Sequence, residues 1–344
     1  MACDLAETKK QAAADLGIDL RGLQRTIKRV EAMAEPTKPK QKPMTAGRTH
    51  VFIPDTQVTP DTPNDHLVWA GKYIAEIKPD VVVMIGDWAD MESLSSYDYG
   101  KKSAEGRRVL ADFEAANNAM DEFMQPIHDE EDYNPELHFT LGNHEHRINR
   151  AVELDAKLDG LVSIESLNYK EHGWNVHEFL TPVEVDGVWY CHYFANPMTG
   201  KPIGGTNITT RLNTIGFSFS MGHQQQHMHG SKNLNNGKIL RGLVSGAYYL
   251  HSELYKGLQG NTHFRGLTIK REVRDGNYDV QEISMDYLCR KYEGVPLHEF
   301  AMNKYPEIYQ DSLFLQRQAL KYKEIETNTR PKQRWQVYKY NKKG

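Results

Sequence analysis

Residues 81–87 read Val-Val-Val-Met-Ile-Gly-Asp, five apolar side chains in a row that stop at a glycine and a carboxylate. A run of this length without polar alternation suits a parallel strand covered on both faces. The Gly86-Asp87 pair then marks the strand's carboxyl end, where open α/β sheets collect their ligands. Two neighbours repeat the arrangement. His50–Pro54 is a short apolar strand running into Asp55, and Leu137–Leu141 runs into Gly142-Asn143-His144-Glu145. Helical spacing fills the gaps, over Leu67–Ile77 and roughly Ala104–Phe123. Further on, Val183–Phe194 and Phe217–Met221 read as strands leading to His192 and to Gly222-His223. From about Gly242 to Tyr287 the pattern is β again, with turn signals at Gly246 and Asp275–Asn277. Strand–helix alternation of this kind predicts an α/β domain over 49–292, with three successive strand ends pointing at one site.

The 344 residues, 39% hydrophobic and 26% charged, suffice for one large catalytic domain with appendages. No stretch approaches the roughly 18 uninterrupted apolar residues of a membrane span, and the first thirty residues lack the pattern of a secretory signal. Three cysteines, Cys3, Cys191 and Cys289, are too few and too scattered for a disulfide framework or a cysteine-type zinc site. A reducing, cytoplasmic setting and no membrane partner are therefore expected. Formal charge is uneven: +4 over residues 1–48, −13 over 49–295 and +5 over 296–344. Basic ends around an acidic middle suit ends that meet a polyanion and a middle that holds cations, or ends that only solubilise.

As ligands, the polar clusters form a coherent set. Two hard cations roughly 4 Å apart need a shared anionic bridge, with oxygen and nitrogen ligands in the remaining positions. Asp55 and Asp87 are carboxylates at strand ends; Asn143, His192 and His223 add an amide oxygen and two imidazoles. Singly, an aspartate after a strand means little, because such residues also cap helices. Five segments in this order carry more weight.

Asp55-x-Gln57, Gly86-Asp87-x-x-Asp90, Gly142-Asn143-His144-Glu145, His192 and Gly222-His223 resemble the successive motifs of the calcineurin-like metallophosphoesterases, over roughly residues 48–290. The resemblance implies an αββα sandwich of two mixed sheets with metals at the strand ends. It implies that Asp87 bridges two divalent cations, that Asp55 holds the first, and that Asn143, His192 and His223 complete the second. His144 would stand beside the scissile phosphate as general acid or transition-state stabiliser, while a metal-activated bridging water attacks phosphorus. Arg147, one turn on, is a phosphate clamp by its bidentate geometry or else pairs with Glu145 or Glu153. Two positions depart from the family pattern. Gln57 and Gln225 stand where imidazoles are usual, and a glutamine carbonyl favours Mn²⁺ or Mg²⁺ over Zn²⁺. Mn²⁺ is the favoured metal, with Mg²⁺, Fe²⁺ and Zn²⁺ as alternatives. His227, or His229, after a longer loop is the other candidate for the missing imidazole, and a weak or empty first site is the third reading. His50, His128, His138, His172, His177 and His251 are expected to be structural.

The two ends add the substrate. Residues 1–35 resemble a helix-turn-helix unit, with Gly17 at the turn, Asp19 as cap and an apolar stripe at Leu20, Leu23, Ile27 and Val30. Arg21, Gln24, Arg25, Lys28 and Arg29 then lie on the exposed side, suited to phosphates and base edges; a helical hairpin for oligomerisation or docking is the alternative. Residues 36–48 are a proline-bearing linker. The basic extension 293–344 mixes Trp335, Tyr338 and Tyr340 with Arg330, Lys332 and Arg334, which suits nucleic acid or a tail packed on the domain. The combined expectation is a metal-dependent phosphodiesterase, a nuclease acting on DNA, of the phage or bacterial type and at work in the host cytoplasm if phage-encoded. The alternatives are a phosphomonoesterase or protein phosphatase, and a DNA-binding protein whose phosphoesterase domain is degenerate.

Overall fold

The computed structural model describes residues 47–98, 100–253 and 256–329. The helix-turn-helix expectation with Arg21, Gln24, Arg25, Lys28 and Arg29, nearly all of the linker, and the basic residues from Arg330 onward lie outside the described residues. The described residues divide into two compact units, one up to 249 with 263–288 and the other 250–262 with the described part from 289 on.

The first unit holds two mixed sheets. Strands β1 (Arg48–Ile53), β2 (Val81–Met84), β3 (Glu136–Thr140) and β4 (Asn175–His177) run parallel in that order. Antiparallel β10 (Gly266–Arg274) and β11 (Asn277–Ser284) extend the β1 edge and complete six strands. The second sheet has the order β5-β6-β7-β9-β8, from Val183–Val185, Val188–Tyr190, Phe219–Met221, Ile239–Val244 and Met228–Asn233. Its central strands β6, β7 and β9 are parallel. One core cluster draws on both sheets: Phe52, Val81, Val83 and Ile85 from one, Val185, Val188, Tyr190 and Leu243 from the other. The apolar run at 81–85 is buried throughout, as a doubly covered strand requires.

Helices cover the outer faces. α1 (Asp65–Ile77) and α2 (Val109–His128) cross in close contact at Gly71, where a Cβ would fall 2.1 Å from the Phe123 carbonyl oxygen. Phe123 of α2 meets Trp88 and Trp174, and Trp174 meets Phe139 of β3. On the second sheet, Leu212 and Ile208 of α3 (Ile208–Ile215) pack with Phe219, Met221 and Val244. The expectation of an α/β sandwich built on two mixed sheets is met at this level. No helix among the described residues is long and apolar enough to cross a membrane.

Several details differ from the sequence reading. Val183–Phe194 is a hairpin rather than one strand, because Asp186 (φ 53°) and Gly187 (φ 82°) form a tight left-handed turn between β5 and β6. The second helix starts at Val109, not Ala104, since residues 102–104 form a separate 3-10 turn. Strands β4 and β8 and helix α3 went unmarked. In the second unit, the extension expected beyond residue 293 is helical over Leu297–Lys304, Pro306–Asp311 and Leu313–Thr329, around buried Leu297, Phe300, Ala301, Phe314 and Leu315.

A polar cluster sits within the first unit's core. Lys270 Nζ donates to the Tyr190 hydroxyl at 3.0 Å and to Ser220 Oγ at 2.5 Å, and lies 4.2 Å from the Tyr190 ring centroid. His50 bonds the same hydroxyl at 2.7 Å and Asp186 at 2.8 Å. Burial, only partly offset by the Asp186 hydrogen bond, pushes the His50 pKa down to about 4. The folded chain therefore refuses a proton that the unfolded chain accepts below the usual histidine value, so stability falls as pH drops from 6.5 toward 4. The contribution is about 3 kcal/mol. Urea denaturation at pH 7 and pH 5 should show a smaller pH-dependent loss in His50→Gln than in the parent; equal losses would assign the acid sensitivity elsewhere.

Candidate metal centre

The five segments singled out in the sequence meet at one end of the two sheets. Asp55 follows β1 by two residues, Asp87 follows β2 by three and Asn143 follows β3 by three; His192 and His223 each follow β6 and β7 by two. Within each sheet these strands are parallel, so the ends of β1, β2 and β3 point one way together, as do those of β6 and β7. Loop contacts join them: Thr56 and Gln57 donate backbone N–H bonds to the Asp87 carbonyl at 3.0 and 2.9 Å, and Tyr248 N–H donates to the Asp55 carbonyl at 2.8 Å.

Ligand atoms of Asp87, His192 and His223 lie within 4.8 Å of one another. The Asn143 amide oxygen stands between the two imidazoles, 3.0 Å from His192 Nε2 and 2.7 Å from His223 Nδ1. His192 Nε2 is in turn 3.2 Å from Asp87 Oδ2. A cation with bonds of ~2.1 Å sets neighbouring ligand atoms about 3.0–3.4 Å apart; the 3.0 and 3.2 Å separations fall in that range, while the 2.7 Å between Asn143 and His223 is that of a hydrogen bond. The tautomer fits too. His192 Nδ1–H donates to the Ile85 carbonyl at 2.7 Å, which leaves Nε2 as the nitrogen facing the cluster.

Close packing makes this convergence possible. A Cβ on Gly142 would fall 2.1 Å from Asp87 Oδ1, and one on Gly222 would fall 2.4 Å from Asp55 Oδ1. Four of the eleven non-glycine residues with positive φ among the described residues lie here. Gln57 (φ 46°), Asp87 (φ 53°), His223 (φ 65°) and Gln225 (φ 53°) all adopt the left-handed region without being glycine. Each such residue costs ~1–3 kcal/mol, which the surrounding structure must sustain.

Electrostatics favour positive charge at Asp87. Burial alone would raise its pKa, but the His144 and His192 imidazoles outweigh burial and hold the carboxyl well below its usual range. Reciprocally, burial opposes charge on His192, yet Asp87 and Asp55 hold its pKa up at about 9. His144 is also raised to about 9, by Asp87 and Asp90 against its own burial. Its Nδ1 contacts the Asp90 carboxylate, and its Nε2 lies 3.7 Å from Asp87 Oδ2 and 3.3 Å from Arg147 Nη2. Two N–H donors, one imidazolium and one guanidinium, thus stand side by side at the edge of the cluster. Arg147 is held there by Asp90, donating to its carbonyl at 2.7 Å and lying 3.3 Å from its carboxylate; neither Glu145 nor Glu153 is its partner in these contacts.

Three further side chains, His227, His229 and Gln225, resolve differently from their expected roles. His227 bonds Glu282 of β11 at 2.7 Å and is not drawn into the cluster, because β8 begins at Met228 and carries the chain away; His229 reaches the same carboxylate at 3.2 Å. Gln225 is beside Asp55, but its Nε2 donates to Asp55 Oδ2 at 3.1 Å and its Oε1 accepts the Tyr249 hydroxyl at 2.7 Å. Gln57 is fully buried, and neither atom of its amide has a hydrogen-bond partner. Beyond the ligands, rings continue outward from His223: Tyr193 at 4.7 Å, then Phe179 at 5.6 Å, then His146 stacked at 4.7 Å.

The sequence offers Glu145, the final residue of the Gly-Asn-His-Glu segment, only as an ion-pair partner for Arg147; the structure gives it a different role. Fully buried, it accepts backbone N–H bonds from Asp87 (2.9 Å), Trp88 (2.7 Å), Ala89 (3.1 Å) and Gly142 (2.8 Å). Glu145→Gln sets an NH₂ group against two of these N–H donors. We expect a loss of about 2–3 kcal/mol in chemical denaturation and roughly 10–100-fold weaker binding of Mn²⁺. Unchanged cation binding in the folded variant would refute the positioning role.

No family model matches the chain, and no curated protein is significantly similar to it. Among solved structures, one is similar over 69% of this chain and 99% of its own, at 11% sequence identity and a TM-score of 0.34, a likeness too remote to support an inference.

Proposed function

We propose that the chain is a divalent-metal-dependent phosphoesterase of the calcineurin-like type, with the αββα variant of the sandwich and a phosphodiester in nucleic acid as its substrate. The observation that carries this reading is the convergence of Asp87 Oδ2, Asn143 Oδ1, His192 Nε2 and His223 Nδ1 from four strand ends, with the His144 and Arg147 donors beside them. Carboxylate, amide oxygen and imidazoles make a donor set for Mn²⁺, Fe²⁺ or Zn²⁺, with Mg²⁺ suited to the oxygen-rich side. When bound, two cations supply Lewis-acid polarisation of the phosphoryl oxygens and a water ionised near neutral pH.

The chain's own residues perform the rest. Asp87, held ionised between His144 and His192, provides the shared anionic ligand. Arg147 Nη2 and the His144 Nε2–H present adjacent donors to one phosphoryl oxygen, and the raised pKa of His144 keeps a proton available for the departing oxygen. Asp90 orients both, by contacting His144 Nδ1 and accepting from Arg147. The partly buried rings of Tyr193 and Phe179 next to His223 favour an ester that carries a flat group, as a nucleotide does.

Purified protein supplied with Mn²⁺ should hydrolyse bis(p-nitrophenyl) phosphate faster than p-nitrophenyl phosphate, and should cleave DNA. Asp87→Asn should abolish turnover, whereas His144→Asn should lower kcat by about 10²–10⁴-fold at unchanged metal content. A preference for the monoester would replace the substrate with a phosphomonoester. Turnover indifferent to Asp87→Asn would sink the mechanism altogether.

A further inference from the structure

The two sides of the centre commit their side chains in opposite ways. An ionised carboxylate only accepts hydrogen bonds, so the Gln225 atom 3.1 Å from Asp55 Oδ2 must be Nε2. The other end of the amide, Oε1, then accepts from the Tyr249 hydroxyl at 2.7 Å. Turning the amide over would face oxygen against oxygen at Asp55. Gln225 is thus fixed from both ends, its carbonyl is engaged away from Asp55, and its effect is to aim Asp55, whose Oδ1 is held in turn by the His223 N–H at 3.2 Å.

Gln57 presents the converse. It lies two residues beyond Asp55, its backbone N–H donates to the Asp87 carbonyl at 2.9 Å, and its side chain is fully buried. Neither Oε1 nor Nε2 has a partner, a costly state for a buried amide. The left-handed backbone at this residue (φ 46°) adds strain. Protein interiors rarely retain an orphan amide at a strained position without a use for it. Its carbonyl oxygen is a hard, neutral donor on the segment that runs from Asp55 along the Asp87 backbone.

Building on the phosphoesterase reading, we propose that the centre is split in affinity and in metal preference. One position, formed by Asp55, Asp87 and the Gln57 carbonyl, is all oxygen and takes Mg²⁺ or Mn²⁺ loosely, with Gln225 and Tyr249 as positioning residues for Asp55. The other, formed by Asp87, Asn143, His192 and His223, has two imidazoles and holds Mn²⁺, Fe²⁺ or Zn²⁺ tightly. The physical basis is ligand type: oxygen-only sets suit hard cations, and imidazole raises affinity along the transition series. The first position offers three protein oxygens and no nitrogen, so its occupancy follows the free Mg²⁺ or Mn²⁺ concentration.

The test is a Mn²⁺ titration of chelator-stripped full-length protein, with free Mn²⁺ read by electron paramagnetic resonance and metal per chain by elemental analysis. The expected result is one tight equivalent and a second at least ten-fold weaker. Gln57→Ala should lose the weak equivalent and keep the tight one. Gln57→His should keep both and convert the weak position to one that retains Co²⁺, with visible absorption from a second cobalt. Tyr249→Phe should weaken the second equivalent by roughly 10–100-fold and leave the first unchanged. Two equivalents of equal affinity would overturn the proposal. So would full retention of both in Gln57→Ala, or loss of an equivalent in Gln225→Ala greater than in Gln57→Ala. These readouts do not involve turnover. Split binding without hydrolysis would sink the enzymatic reading alone, and hydrolysis with two equal sites would sink only this one.

Discussion

Four backbone N–H groups, those of Asp87, Trp88, Ala89 and Gly142, converge on the single carboxylate of Glu145. That convergence ties the loop after β2 to the loop after β3 at full burial. It sets the left-handed turn at Asp87, brings Gly142 against the Asp87 carboxylate, and lets the His144 N–H donate to Asp87 Oδ1 at 3.0 Å. Once Asp87 is fixed, the remaining contacts of the centre have a reference point. The segment from Asp55 to Val58 lies along residues 87–88 through three backbone bonds, and His192 and His144 approach the free carboxylate oxygen. A buried carboxylate is costly unless its lone pairs are used. Glu145 uses them on the backbone, so it stabilises shape; Asp87 keeps one oxygen for other work.

Much of this was legible because strand ends are written in residue types. Apolar runs at 81–85 and 137–141 followed by Gly-Asp and Gly-Asn announced buried parallel strands and their polar tips, and the structure places Asp55, Asp87, Asn143, His192 and His223 together. What escaped the reading lacks such a signature. β4 is three residues long, and β8, Met-His-Gly-Ser-Lys-Asn, is a polar edge strand without an apolar alternation. The hairpin at Asp186-Gly187 did carry the standard turn signal, and the long apolar pattern on either side masked it.

The metal-side glutamines show a different limit. Order along the chain gave Gln225 the right place, but not which amide atom faces Asp55; that depends on the Tyr249 hydroxyl, 24 residues away. Spacing likewise made His227 a candidate, and only the path of β8 reveals that it turns to Glu282. Glu145 closes the Gly-Asn-His-Glu motif, yet its role depends on four N–H groups from two loops that no spacing reports. Sequence patterns report which element a residue ends; they do not report the partner that decides a side chain's chemistry.

The first unit contains a second buried polar cluster, and the contrast between the two argues for function in one of them. Around Lys270, amine, phenol, hydroxyl and imidazole satisfy one another: Lys270 with Tyr190 and Ser220, His50 with Tyr190 and Asp186. Burial pushes the Lys270 pKa well down, and three rings, Phe52, Tyr190 and Tyr278, lie within 4.9 Å of its nitrogen. Such a network serves packing between strands. At the strand ends the pattern differs: two imidazoles crowd one amide oxygen, the Asp55 and Asp87 carboxylates belong to the same group of strand ends, and the Gln57 amide is orphaned. A fold selected only for stability would relieve these features, since each is individually replaceable by a satisfied or apolar group. Their presence together, beside the two histidines whose pKa values Asp87 raises, is the physical support for the metal centre proposed above.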